Sequence, residues 1–154
     1  MSIAYLDTSA LVKQYVIEPG SNWVKALLVP DPTPTVFTSH LTVVEATCAF
    51  ARRRREGSLS SQQHAQILRA FEYDIQNRLN ILDVGPAVIR TAQQLANQHP
   101  LRAYDAVQLA TAWLANENLV RSEQRPLTFI CADNHLVAIA QAAGLLTENP
   151  SQYL

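Results

Sequence analysis

Asp7, Glu45, Asp105 and Asp133 are the residues of this chain whose placement asks for chemistry. Asp7 follows the short apolar run of "MSIAYLDTSALVKQY", and Asp133 follows "LTFICA". Glu45 lies inside a helical pattern, and Asp105 begins a helical stretch that is otherwise almost wholly apolar. Around Glu45, Leu41 and Ala49 stand four residues away and Thr42 and Cys48 three away, so no ion pair along its own helix accounts for it. Each acid also has an ordinary reading. Asp7 with Thr8 and Ser9 suits a turn or a helix N-cap, Asp105 complements a helix dipole, and Glu45 suits a face turned to water. Converging, the four carboxylates would repel one another and raise their own pKa values, and a divalent cation removes that repulsion. An all-oxygen set suits Mg²⁺ or Mn²⁺, which keep several waters and are shared between a few carboxylates and a substrate phosphate. His40, His64, His99 and His135 show no H-x-x-x-H spacing and read as surface or capping residues, which disfavours zinc.

Strands alternating with helices are what would bring these acids together. Ser2 to Leu6, "VFTS", "NILDV" and "LTFICAD" read as strands. Between and after them "SALVKQYV", "SNWVKALLV" capped by Ser21, "HLTVVEATCAFARRRREG" capped by Ser39 and stopped by Gly57, "SQQHAQILRAFEYDIQNRL", "AVIRTAQQLANQ", "HPLRAYDAVQLATAWLANEN" and "NHLVAIAQAAG" read as helices. "PDPTPT" is a loop. This order predicts an α/β fold with a mainly parallel sheet of four or five strands, covered on both faces. In such a sheet ligands sit beyond the carboxyl ends of the strands, where Asp7 and Asp133 are expected to meet.

With 154 residues, 48% hydrophobic and 16% charged, one domain over 1–154 with a real core is the expectation. No apolar run approaches the roughly 18 residues of a membrane span, and the N-terminus lacks a secretion signal, so a cytoplasmic protein without a membrane partner is expected. Cys48 and Cys131 form no C-x-x-C pair and read as small buried hydrophobes. A net charge of −1 excludes nucleic-acid binding by bulk charge. A local basic stripe, Arg52, Arg53, Arg54 and Arg55, stands near a helix C-terminus, where cations suit the dipole and are often simply solvated; the same residues can hold RNA phosphates beside an acidic site.

"YLDTSALVK", "VVEATCAFARRRREG", "LRAYDAVQLATA" and "FICADNHLVAIAQAAGL", in this order and over almost the full length, resemble the PIN-domain family, in particular the VapC-like toxins of toxin–antitoxin pairs. The resemblance implies a three-layer α/β/α fold and a Mg²⁺- or Mn²⁺-dependent ribonuclease site. It carries the family's acidic positions onto Asp7, Glu45, Asp105 and Asp133, as metal ligands and catalytic residues, and its supporting hydroxyl onto Thr8 or Ser9. It implies a water-driven cut of RNA leaving a 5′-phosphate, a homodimer through "SNWVKALLV" and "AVIRTAQQLANQ" with Trp23 exposed, and a small antitoxin. That partner would place an Arg or Lys among the acids and dock a helix near "SSQQHAQILRAF". One departure is visible: many relatives have Thr or Ser two residues before the last acid, and this chain has Cys131, so looser hydrogen bonding around Asp133 is expected.

Other readings compete with this one. A PIN-type nuclease with housekeeping duties and no antitoxin shares the same chemistry. Phosphotransfer with Asp7 as nucleophile usually needs a second Asp where Ser9 stands, and a receiver-type phosphoacceptor needs a Lys at the last strand, where none follows "LTFICA".

Overall fold

The computed structural model describes residues 3–29 and 35–153. Five parallel strands form one sheet: β1 (Ile3–Leu6), β2 (Thr35–Ser39), β3 (Leu79–Leu82), β4 (Thr128–Ile130) and β5 (Leu146–Glu148), in the order β3-β2-β1-β4-β5. The chain fills one half of the sheet outward from β1, then returns to fill the other. The switch point therefore lies between the carboxyl ends of β1 and β4.

Seven α-helices occur among the described residues: α1 (Thr8–Leu11), α2 (Ser21–Leu27), α3 (His40–Arg55), α4 (Ser61–Asn77), α5 (Pro86–Gln98), α6 (Ala103–Arg121) and α7 (Asn134–Ala142). Because side chains alternate across a strand, β1 serves two cores. Tyr5 faces a cluster with Phe129 and residues of α5, α6 and α7, and the Tyr5 and Phe129 rings stack at 5.7 Å. Ala4 and Leu6 face a second cluster with Val36, Ile130, Ala46 and Phe50, in which the rings of Tyr15, Phe50 and Phe71 meet edge to face. The mainly parallel sheet covered on both faces that the strand–helix alternation predicts is present, and with it the three-layer α/β/α architecture that the family resemblance implies.

Several local expectations need correction. β5 follows Gly144 and was not anticipated; three residues are too few to carry a periodic signal, and the strand exists because its backbone pairs with β4. The first helix is a single α-turn followed by a 3-10 turn over Val12–Gln14. The helix expected from His99 starts at Ala103, since His99 precedes Pro100 and is extended, as a pre-proline residue prefers. Ser21 does not cap α2. Gly20 holds that position, and the Ser21 hydroxyl instead donates to the Val16 carbonyl at 2.7 Å and accepts from the Glu18 N–H at 3.0 Å. Ser39 does cap α3, accepting from Leu41 N–H, and Ser60 with Gln63 forms a capping box on α4. Cys131 is buried but Cys48 is exposed, since it falls on the outward side of α3. His64 is buried rather than at the surface. Trp23 is half-buried and stacks on Tyr153 at 4.7 Å. Most of "PDPTPT", residues 30–34, and Ser2 lie outside the described residues.

Gly20 makes a testable point about packing. Its φ is +86°, and a Cβ there would run into the carbonyl of Pro150. Gly20→Ala is expected to destabilise the fold by about 2–4 kcal/mol, combining left-handed strain with a backbone clash, read as a lower urea midpoint.

Candidate active site

Asp7 is set by the end of β1. Its N–H donates to the Ile130 carbonyl at 3.1 Å, which ties the carboxyl ends of β1 and β4 together. Its carboxylate caps α1: Oδ1 accepts from the Ala10 N–H at 3.0 Å and from the Ser9 hydroxyl at 2.7 Å. Ser9 Oγ in turn accepts from the Ala132 N–H at 2.9 Å, so one hydroxyl joins Asp7 to the loop after β4.

That loop carries Asp133, which is exposed and caps α7 by accepting from the His135 N–H at 2.8 Å. The sulfur of Cys131 accepts from the Asp133 N–H at 3.3 Å and lies 3.7 Å from Ser9 Oγ. Cys131 thus fills the place expected of a Thr or Ser with a longer, softer hydrogen bond.

Glu45 and Asp105 come from helices on opposite sides of the sheet. Glu45, on the second turn of α3, has partners that its own helix does not supply: Oε1 accepts from the Thr8 hydroxyl at 2.9 Å and from Gln108 Nε2 at 2.9 Å. Gln108 Nε2 also approaches Thr42 Oγ1 at 2.8 Å and Thr8 Oγ1 at 3.1 Å, and its Oε1 accepts from the Tyr5 hydroxyl at 2.6 Å. Asp105, three residues before Gln108 on the first turn of α6, is half-buried.

All four acids line one cleft of about 480 Å³ at the switch point, together with Thr8, Ser9 and Gln108. Arg52, Arg53 and Arg102 also line it, whereas Arg54 and Arg55 are exposed away from it. The run therefore divides by helical geometry. Arg53 is further engaged by Glu18 at 3.3 Å, whose other oxygen accepts from buried Lys13 at 3.1 Å.

The electrostatics of the cleft are those of unneutralised negative charge. Burial pushes the Asp7 carboxyl up to about 6, against donation from the Cys131 thiol, Ser9 and Ala10, with the Asp105 charge adding to the rise. Asp105 is also raised, first by desolvation and then by Asp133, with Glu45 adding and Arg102 and His135 opposing. Both shifts mark carboxylates whose desolvation outweighs the donors and opposite charges around them. Among the described residues no group of three His, Cys, Asp or Glu side chains converges into a ready-made ligand cage. An oxygen-lined cleft with a few carboxylates on its walls nonetheless fits a hard cation that retains part of its water shell.

Gln108, Tyr5, Thr42, Arg102 and Glu18 were not anticipated as members of this region. A faint signal existed for Gln108, a polar residue three positions from Asp105 and so on the same face of an apolar helix. Tyr5 and Arg102 carried none.

Comparison with known proteins gives this geometry a family. A model of the PIN domain matches residues 4–127. Ribonuclease VapC45 of Mycobacterium tuberculosis is 33% identical over 112 residues, covering 73% of this chain and 76% of the relative. Ribonuclease VapC35 of the same organism is 33% identical over 149 residues, covering 96% and 97%. In fold, the chain is similar to a toxin–antitoxin complex from Klebsiella pneumoniae, with a TM-score of 0.63 and 17% identity over 96% of this chain and 97% of that one. It is similar also to VapBC2 from Rickettsia felis bound to a DNA fragment from their promoter, with a TM-score of 0.63 and 17% identity over 96% and 98%. With a family match across most of its length, and relatives that align with it at one residue in three, the chain belongs to the PIN domain family.

Proposed function

We propose that this protein is a Mg²⁺- or Mn²⁺-dependent endoribonuclease that acts as the toxin of a toxin–antitoxin pair. The observation that supports it most is the gathering of Asp7, Glu45, Asp105 and Asp133 on the walls of one cleft, with Asp7 and Asp105 both held above the ordinary carboxylate range. The names of the VapC relatives, which are ribonucleases, point the same way.

In this reading Asp7, Glu45 and Asp105 hold the cation, and Asp133 contributes from the rim. A bound divalent ion supplies a water activated for in-line attack on a phosphodiester and screens the charge that develops on the phosphate. Thr8 and Ser9 keep the carboxylates in place through their hydroxyls. Arg52 and Arg102 hold neighbouring RNA phosphates that the acids alone would repel. The product is a 5′-phosphate and a 3′-hydroxyl.

The arginine run gives a graded expectation. Arg52→Ala is expected to raise KM for RNA several-fold with kcat nearly unchanged, and to lower the slope of log affinity against log salt by about one. Arg54→Ala and Arg55→Ala, away from the cleft, are expected to move neither by more than about twofold. KM measured at several salt concentrations separates the two classes.

An antitoxin has a place to bind on this surface. A groove of about 680 Å³ runs beside α4, lined by Gln63, Ile67 and Tyr73, with Ile17 left 95% exposed at its edge. Glu18 and Arg53 line both this groove and the acidic cleft, so a partner helix in the groove can extend a basic side chain to the acids. Pairing of two copies belongs to the same proposal. Exposed Ile89 on α5 supports it, while Trp23, stacked on Tyr153, does not.

The test is cleavage of total RNA by the purified chain with Mn²⁺, followed by end-labelling of the products, alone and after co-expression with the neighbouring reading frame. A discrete cut with 5′-phosphate ends, suppressed in the complex, is expected. A complex that forms yet cuts as fast as the free chain would refute groove occupation. If no neighbour binds while the cut persists, the activity is that of a housekeeping nuclease.

A further inference from the structure

We propose that Gln108 is a positioning residue for Glu45: its side-chain amide ties one carboxylate oxygen to the protein interior and leaves the other to the cleft. The inference rests on the reading of this cleft as a divalent-cation site and adds a residue that supports it.

Gln108 is 2% exposed, and its amide is fully engaged. A buried primary amide can sit in two orientations, and here the surroundings permit one. The Tyr5 hydroxyl, from a fully buried side chain of the central strand, donates to Oε1 at 2.6 Å. Turned over, the amide would aim that oxygen at the Glu45 carboxylate, which can only accept, replacing attraction by repulsion there. Nε2 therefore faces the acid. Glu45 Oε1 then receives two donors, the Gln108 amide and the Thr8 hydroxyl, each at 2.9 Å, while Oε2 has no hydrogen-bond partner among the described residues.

A carboxylate held this way offers a single oxygen in a fixed direction. Asp7 across the cleft is held in the same manner, with Oδ1 occupied by Ser9 and Ala10. The choice of an amide matters because it is neutral. An Arg or Lys at this position would orient Glu45 equally well but would cancel the charge that attracts a cation, whereas the amide fixes geometry and leaves the charge in place. The chain Tyr5–Gln108–Glu45 also links the core of the sheet to the cleft through groups that polarise one another. It joins β1, α6 and α3, so the three elements that carry Asp7, Asp105 and Glu45 share one hydrogen-bonded network.

The experiment measures Mn²⁺ affinity of the metal-stripped full chain by electron paramagnetic resonance, for wild type, Gln108→Met, Tyr5→Phe and Glu45→Gln. Gln108→Met keeps the length of the side chain and removes the donor, and is expected to weaken Mn²⁺ binding about tenfold, the loss typical of a group that orients a ligand. Its kcat should fall at limiting Mn²⁺ and recover at saturating Mn²⁺, with KM for RNA unchanged. A purely structural role would lower the melting temperature and leave the Mn²⁺ affinity of the folded chain as it was. Tyr5→Phe removes only the hydroxyl that anchors the amide and is expected to weaken Mn²⁺ about threefold. Wild-type affinity in folded Gln108→Met overturns the proposal. If that variant does not fold, wild-type affinity in Tyr5→Phe overturns it instead. Glu45→Gln separates the two levels of the argument. Weakened binding there with wild-type binding in Gln108→Met refutes the positioning role alone, and wild-type binding in Glu45→Gln refutes the cation-site reading and the positioning role together.

Discussion

Asp7→Asn is expected to reduce RNA cleavage by at least about a hundredfold to a thousandfold, the size of effect seen when one preorganised electrostatic group is removed from a reaction site. The fold should survive. Asn keeps the oxygen that accepts from Ala10 N–H and the Ser9 hydroxyl, and Asn is as good an N-cap as Asp. What it lacks is the buried charge, and that makes the variant more stable than wild type when no metal is present. The sign follows from the pKa. The Asp7 carboxyl sits at about 6 in the folded chain against an ordinary value of 3.8, so the folded state holds its proton more tightly than the unfolded state. That contribution is complete below the unfolded value and is lost as pH rises through the folded one, by up to about 3 kcal/mol. Asp105 is shifted in the same direction and adds to the trend. Urea midpoints of the two metal-free proteins should therefore be similar near pH 4, diverge in favour of Asp7→Asn as pH rises to 6, and hold a constant gap above about pH 7. A gap that is absent or that narrows with rising pH would show that Asp7 carries no uncompensated charge.

Removal of divalent ions by excess chelator is expected to suppress cleavage as strongly as the loss of Asp7, and Mg²⁺ or Mn²⁺ should restore it. The reason is the same unneutralised charge. Asp7, Glu45, Asp105 and Asp133 line one cleft in which Arg53 is engaged by Glu18 and Arg102 and His135 only partly oppose the rise of Asp105, so a divalent ion would supply the missing counter-charge. A second readout does not depend on catalysis. At a Mn²⁺ concentration about 100 times its dissociation constant, binding to the folded state alone stabilises it by about 2.7 kcal/mol, which a melting curve resolves readily. Asp7→Asn should show little of that increase. The increase should also shrink as pH falls below about 6 in wild type, because a cation must displace the proton that buried Asp7 then holds. Full cleavage in excess chelator would refute metal dependence outright, and a Mn²⁺ shift of equal size in Asp7→Asn would place the ion elsewhere.

What was legible from the sequence was whatever is encoded locally. An apolar run ending in Asp-Thr-Ser announces a strand followed by a capped turn, and Asp7 does cap α1. Glu45 and Asp105 stood out because acids in apolar helical patterns need a reason. Alternation of strand and helix predicts a parallel sheet, and a parallel sheet carries Asp7 and Asp133 to one edge whatever their separation along the chain.

Contacts that join distant segments were decided only by the tertiary structure. Gln108 reaches Glu45 across 63 residues and Tyr5 across 103, and no periodicity or spacing encodes such a meeting. Ser9 bonds to Ala132 across 123 residues, which turns an apparent turn residue into a stitch between β1 and β4. The arginine run shows the same division. As sequence it is four equivalent cations, but α3 rotates successive side chains by about 100°, so Arg52 and Arg53 face the cleft and Arg54 and Arg55 face away. Local chemistry chooses which side chains can act and how each short segment bends. Which of them meet depends on how the helices and strands pack against one another, and that is set by burial of both faces of the sheet rather than by any residue of the site.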